Sequence, residues 1–298
     1  MEFVVIDVET ANADLSSICQ VGIASFRDGE LADAWVSLVN PEDYFSPVNI
    51  SIHGIDEYKV EDAPTWEDVF LQVTSRLKNR IVVSHTPFDR LALARACKRY
   101  GLAGHECTWL DSASVVRRAW PQFSKSGYGL SNVAAHFGIE YKAHDALEDA
   151  WCAGVLLLRA IAETGLSPEQ WLARVEQPIH LFDHGDSSGK WPEPCKRDGN
   201  PEGELFGEVL VFTGSLSVPR TEAADAAAAA GCRVDASVTK HTTMLVIGDQ
   251  DLRRFAGHEK SSKHTKAEQL IGRGQHIRIL GESDFMSIVS HSVSLRQK

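Results

Sequence analysis

Two carboxylates, Asp7 and Glu9, interrupt the apolar stretch FVVIDVETA. Val4, Val5, Ile6 and Val8 around them are strand formers, so the stretch reads as a buried strand. Side chains alternate along a strand, which puts positions 7 and 9 on one face, their Cα atoms about 6.6 Å apart. Two like charges side by side on a core strand are costly. Asp89 follows the strand-like IVVSH, and His144 and Asp149 lie in AHDALEDA. In that last stretch Asp145 and Glu148 read as a D-x-x-E capping box that starts a helix at Ala146. His144 then stands outside the helix, exposed and mobile, and Asp149 is held about one turn inside it.

Such a set suits two-metal hydrolysis of phosphodiesters. Hard cations such as Mg²⁺ bind through a few carboxylates plus substrate phosphate. Two ions about 3.5–4 Å apart steady the attacking and the leaving oxygen. A histidine titrates near neutrality and can take the proton of an attacking water. Each residue also has a plainer reading. Asp7 and Glu9 could mark a strand end turned to solvent, Asp89 a helix cap, and His144 a surface histidine.

The elements that must position these residues are legible in outline. VVIDVE, ICQVGIASF and ADAWVSLV read as three strands, the last two joined by a hairpin at RDGE. A helix near WEDVFLQVTSRLK, a buried strand IVVSH and a helix RLALARACKRYG follow, the last stopped by Gly101. Then come a short strand CTWLD and helices near SASVVRRAW, LSNVAAHFG and LEDAWCAGVLLLRAIAETG. A meander followed by alternating strands and helices predicts an α/β fold, a mixed sheet with helices packed on it. From Ser167 to Gly203 the periodicity dissolves into Gly, Pro and charge, as in a linker. Order resumes with the pattern βαββαβα: strands EVLVFTG, CRVDASV, TMLVIG and IRIL, and helices RTEAADAAAAAG, KAEQLIGRG and ESDFMSIVS.

The whole chain of 298 residues carries a net charge of −11. Residues from Glu204 onward are nearly balanced, 12 Lys+Arg against 11 Asp+Glu, so residues 1–203 carry −12. That is unlike a tight nucleic-acid binder, and a site loading divalent cations accounts for part of the acid. No apolar run is long enough for a membrane span, and Met1 leads straight into the first strand with no signal peptide. Six scattered cysteines without a CxxC pair predict reduced thiols and a cytoplasmic location, not a disulfide framework or a structural zinc.

The D-x-E-T of the first strand, the FD before a helix and the late H-x-A-x-x-D resemble the DEDDh 3′–5′ exonucleases, a ribonuclease H-like family that includes the proofreading subunit of bacterial DNA polymerase III. The resemblance covers residues 1–166 and extends to IHGIDEYKVEDAPTWEDV and GYGLSNVAAHFGI. It implies that Asp7, Glu9, Asp89 and Asp149 bind two Mg²⁺ or Mn²⁺ ions and that His144 is the general base. It also implies that Thr10, His53 and Phe88 lie near substrate, and that 5′-mononucleotides leave a 3′ end. Where many members carry His-Asn shortly before the FD pair, this chain has Ser84 and His85, so nearby substrate contacts differ. Relatives act on DNA or on RNA, and the residues do not decide the sugar.

Residues 204–291 resemble a BRCT domain of the kind attached to bacterial DNA ligases, through VFTGSL, PRTEA, AGCRVDASVTKHTTMLVIG, KSSKHTKAEQL and RGQHIRILGESDF, with 292–298 a tail. The family's Gly-Gly is Gly231-Cys232 here, and Phe285 stands where many relatives have Trp. Thr213, Gly214 and Lys266 occupy the places of a phosphate pocket in phosphopeptide-reading relatives. The same pocket is linked in others to DNA 5′-phosphates. The plainer reading is a cap, a turn glycine and a solvated lysine. Lys260, Lys263 and Lys266 with two histidines form either a phosphate-facing patch or a solvated loop. In the linker, Gln177, Leu181 and Phe182 of QPIHLF loosely resemble peptides that dock on the bacterial sliding clamp.

These readings together describe a 3′–5′ exonuclease acting on DNA in replication or repair, targeted by its BRCT module to DNA ends or to a replication or repair protein, with no membrane partner. The alternatives are the same chemistry on RNA 3′ ends, and a BRCT-based adaptor with vestigial nuclease activity.

Overall fold

Phe3, Val4, Val5 and Ile6 are consecutive and all fully buried, so the first strand is covered on both faces. The computed structural model that places them describes residues 1–124, 127–177, 179, 196–249 and 261–294. They fall into two units, Met1–Glu176 and Gln177–Lys298.

In the first unit, β1 (Glu2–Thr10), β2 (Ile18–Arg27) and β3 (Glu30–Leu38) form an antiparallel meander. Asp28 and Gly29 turn the β2–β3 hairpin with φ of +53° and +88°, two left-handed residues that match the twist of paired strands. β4 (Ile81–Ser84) and β5 (Thr108–Asp111) add parallel strands on the other side of β1. The sheet is therefore mixed, in the order β3-β2-β1-β4-β5. Its helices are α1 (Pro47–His53), α2 (Trp66–Leu77), α3 (Phe88–Arg99), α4 (Ser112–Ala119), α5 (Leu130–His136), α6 (Ala146–Thr164) and α7 (Pro168–Val175).

The register fixes which face α6 covers. Phe3 pairs with Phe26, Val5 with Ala24 and Asp7 with Gly22, and opposed residues share a face. A Cβ added at Gly22 would strike the backbone of Ala146 and Leu147, and one at Gly154 would strike the ring of Phe26. Four strand residues rise about 13 Å and eight helical residues about 12 Å, so α6 runs along β2 in the same direction. The first turn of α6 thus lies over the end of β1 that carries Asp7.

Two elements escape the sequence reading. Residues 168–175, assigned above to linker, form α7, which belongs to the first unit and lies in contact with α4 and β5, with Trp171 on it buried. Ser167 accepts from the Gln170 N–H while the Gln170 side chain accepts from the Ser167 N–H, a reciprocal cap with Pro168 in the first turn. Helix α1 lies in a stretch to which the sequence reading assigns no element. Pro47 opens it and Gly54, at φ +73°, closes it.

In the second unit β6 (Val209–Thr213), β7 (Arg233–Val234), β8 (Met244–Ile247) and β9 (Arg278–Gly281) form a parallel sheet in the order β7-β6-β8-β9. Among the described residues its helices are α8 (Arg220–Ala229), α9 (Ser262–Ile271) and α10 (Glu282–Ser294). Only two residues of CRVDASV pair as a strand, because the chain leaves β6 after Val234. Gly231 sits at φ +112° with backbone of Leu205 and Phe206 where its Cβ would be. Phe285 is fully buried and meets Phe212 edge-on at 5.7 Å. Residues 196–203 also belong to this unit, since Arg197 bridges Val234. Among the described residues no single helix is long and apolar enough to cross a membrane.

Two histidines of the first unit are held neutral. His105 packs against Trp66 and Phe70, and burial lowers its pKa to about 4. Burial likewise takes His53 to about 4. An unfolded chain takes up these protons near pH 6.5 and the folded one does not, so stability falls as pH drops from about 6.5 toward 4. Thermal midpoints measured between pH 7.5 and 5 should decline, and His105→Gln should flatten the decline. A midpoint unchanged over that range would contradict the buried neutral assignment.

Candidate active site

Strand β1 brings Asp7 and Glu9 to the same face, both half-buried. A bulge follows at once: Glu9 pairs with Gln20 but Thr10 with Ile18, leaving Cys19 as the extra residue. Helix α1 grips the strand just beyond. Asn49 Nδ2 donates to the Thr10 carbonyl at 2.8 Å. His53 Nδ1 accepts from the Ile55 N–H at 3.0 Å, so the proton sits on Nε2, which lies 3.2 Å from the same Thr10 carbonyl. His53 thus serves backbone with both nitrogens, and Thr10 is buried.

Asp89 is buried, at 1% exposure, in the first turn of α3. It does not cap that helix, whose N-cap residue is Pro87. β4 pairs with β1 only at Val4 and Val5. Farther along, Asp89 Oδ1 accepts from the Val8 N–H at 3.1 Å. Its carboxylate is thereby fixed beside the backbone that joins Asp7 to Glu9. Phe88, next to it, is half-buried.

His144 and Asp149 come from the start of α6. Asp149 is buried in the first turn, and its Oδ2 accepts from the His144 N–H at 2.7 Å. That bond folds the loop onto the helix and holds His144 at φ +64°, a left-handed conformation in which histidine is enriched. The expectation of an exposed, mobile His144 is corrected: it is half-buried and tied by its backbone. The capping box is corrected too. Asp145 makes no side-chain cap and pairs with Lys142 at 3.2 Å. The Ala146 N–H goes instead to Gln20 Oε1 at 3.0 Å, across 126 residues of sequence.

Ligand atoms of Glu9, His144 and Asp149 all lie within 4.8 Å of one another. With Asp7 beside Glu9 on the strand and Asp89 on the intervening amide, the set is rich in carboxylate oxygen. This is the donor chemistry that Mg²⁺ and Mn²⁺ prefer. Gln20 and Gly22, absent from the motif reading, set the spacing: one ties the N-terminus of α6 to β2 and the other lets it approach.

In the second unit Thr213 is buried with its hydroxyl 2.7 Å from that of Ser261, the N-cap of α9. Gly214, at φ +76°, makes the turn, and its carbonyl accepts from Arg220. Lys263, not Lys266, reaches back, donating to the Phe212 carbonyl at 3.0 Å, while Lys266 is exposed on α9. Lys260 and, of the clamp-like peptide, Leu181 and Phe182 lie outside the described residues; Gln177 lies within them.

A mixed sheet with a carboxylate cluster at the end of its central strand defines a class, and comparison places the chain in it. Residues 4–154 match the family described as Exonuclease, and the chain belongs to that family. It is 28% identical over 54% of its length to the PolC-type DNA polymerase III of Caldanaerobacter subterraneus subsp. tengcongensis. It is 26% identical over 53% of its length to the 3′-5′ exonuclease DinG of Staphylococcus aureus. The chain spans only 12% and 18% of those two relatives. Among solved structures, an Exonuclease X in complex with 5′ overhanging duplex DNA is similar at a TM-score of 0.47 and 23% identity, covering 58% of this chain and 99% of that one.

Gly22→Ala should push α6 off β2 and cost about 1–3 kcal/mol of stability. Denaturant titration checks the loss, and Mn²⁺ titration should show weaker binding. A stability within error of the wild type would contradict the close approach at this point.

Proposed function

We propose that the chain is a metal-dependent 3′–5′ exonuclease of the DEDDh type. The observation that carries the reading is the convergence of Glu9, His144 and Asp149 within 4.8 Å, beside the amide that Asp89 holds. Asp7, Glu9, Asp89 and Asp149 would hold two Mg²⁺ or Mn²⁺ ions. Bound there, such ions supply Lewis-acid stabilisation of the attacking and leaving oxygens. His144 takes the water's proton on a ring nitrogen as the water oxygen bonds to phosphorus; the bond from phosphorus to O3′ breaks, and O3′ leaves with the electron pair and takes up a proton from solvent water. The products are a 5′-mononucleotide and a chain one residue shorter with a new 3′-hydroxyl. The Asp149–His144 bond holds the loop that carries this base. Thr10 and Phe88, flanking Glu9 and Asp89, are the proposed walls for the terminal nucleotide. The bonds His53 makes to backbone favour a supporting role for it over direct substrate contact.

DNA is the preferred substrate of this reading, supported by relatives whose names include a DNA polymerase; RNA 3′ ends are the second. The second unit is proposed as a BRCT module, a reading supported by its βαββαβα order and four-stranded parallel sheet. It would target the nuclease to DNA ends or to a replication or repair protein and raise its local concentration there.

The test is digestion of 5′-labelled single-stranded, blunt and 3′-recessed DNA and of matched RNA, with Mg²⁺, Mn²⁺ or EDTA. A metal-dependent ladder shortening from the 3′ end is expected. Asp7→Ala and Asp149→Ala should lower the rate by at least about 10³-fold, in line with loss of transition-state charge stabilisation. Folded wild-type protein that digests none of these substrates would favour the adaptor.

A further inference from the structure

The turn that delivers Asp89 is held in an unfavourable conformation. Thr86 has φ of +84°, a region that a β-branched residue rarely occupies. Such a conformation persists only where its surroundings over-determine it. Here they do. Asp111 Oδ1 accepts from the Thr86 N–H at 3.0 Å, and Ser84 Oγ donates to the Thr86 carbonyl at 2.9 Å. Between them, His85 is buried with Nδ1 2.9 Å from Ser112 Oγ and Nε2 3.0 Å from the Tyr128 carbonyl. The Ser84 and His85 that depart from the family pattern are thus parts of the clamp.

Asp111 is its pivot. It ends β5 opposite Ser84, and the same Oδ1 caps α4 by accepting from the Ala113 N–H at 2.9 Å. Its Oδ2 accepts from Ser114 Oγ at 2.7 Å and from the buried Arg117 at 3.3 Å. The carboxylate therefore cannot shift without breaking several bonds. Three residues past Thr86, Asp89 meets the Val8 N–H.

We propose that Asp111 is a positioning residue: it clamps the Thr86 turn and so aims Asp89 at the strand between Asp7 and Glu9. The inference rests on the metal-site reading above. It predicts a particular non-additivity. Glycine accepts a positive φ without an external clamp, so Thr86→Gly should remove most of the need for Asp111. A residue that merely caps α4 would matter equally in both backgrounds.

The test uses the full chain and four forms: wild type, Asp111→Asn, Thr86→Gly and the double variant. Mn²⁺ affinity is measured by calorimetric titration, beside the thermal midpoint. Asp111→Asn should weaken Mn²⁺ binding roughly tenfold. In the Thr86→Gly background the same change should cost markedly less. Equal losses in the two backgrounds, or no loss from Asp111→Asn, would overturn the inference. Should Asp111→Asn fail to fold, Ser84→Ala removes the other clamp without stranding a buried charge. Weaker Mn²⁺ binding by that variant supports the inference and wild-type affinity overturns it. A folded wild type that binds no Mn²⁺ would overturn the metal site itself, and this inference with it.

Discussion

The site depends on how closely the start of α6 approaches β2. Carboxylates repel, and nothing in the local preferences of β1 or α6 would bring Glu9 and Asp149 together. Gly22 removes a Cβ that would strike the backbone at the start of the helix. Gln20 then supplies the acceptor for the first N–H of α6, which its own N-cap residue leaves to it. Because Gln20 and Gly22 face the same side as Glu9 and Asp7, one docking event sets the spacing of the whole cluster. The favourable end of the helix dipole points at the acidic face, which offsets some of the repulsion.

A second constraint comes from the other side of β1. The central strand loses its parallel partner after Val5, and on the side that β4 leaves, Asp89 takes up the Val8 amide. The acidic group thus satisfies a backbone donor that would otherwise be costly to bury. Fold and site share this bond, so the first unit cannot relax its strand end without moving Asp89. The bulge at Cys19 and the grip of Asn49 and His53 on Thr10 fix the strand just past Glu9. Around the carboxylates, then, rigidity comes from backbone hydrogen bonds made by side chains distant in sequence.

Much of this was legible beforehand. Alternation in FVVIDVETA put Asp7 and Glu9 on one face, and the motif order singled out Asp89, His144 and Asp149. The strands of the meander, the hairpin at Asp28 and Gly29 and most long helices follow from local pattern. Helix α7 carried its own signal, a Ser-Pro start with Gln170 three residues on, but the polar sequence after it masked where the linker begins. The short α1 had a Pro start and a Gly stop without enough apolar period to be noticed. The Gln20–Ala146 bond, the turn at Thr86 and the bond from Val8 to Asp89 were not legible, because each joins segments far apart in the chain. The apparent capping box at Asp145 and Glu148 shows the same limit: the local motif was present and a tertiary contact displaced it.

The most direct test of the convergence is a crystal of the full chain grown with Mn²⁺ and measured at the manganese absorption edge. The account predicts two anomalous peaks among the carboxylates of Asp7, Glu9, Asp89 and Asp149, with the His144 ring beside them. Crystals saturated with Mn²⁺ that show no peak among these four carboxylates would contradict it.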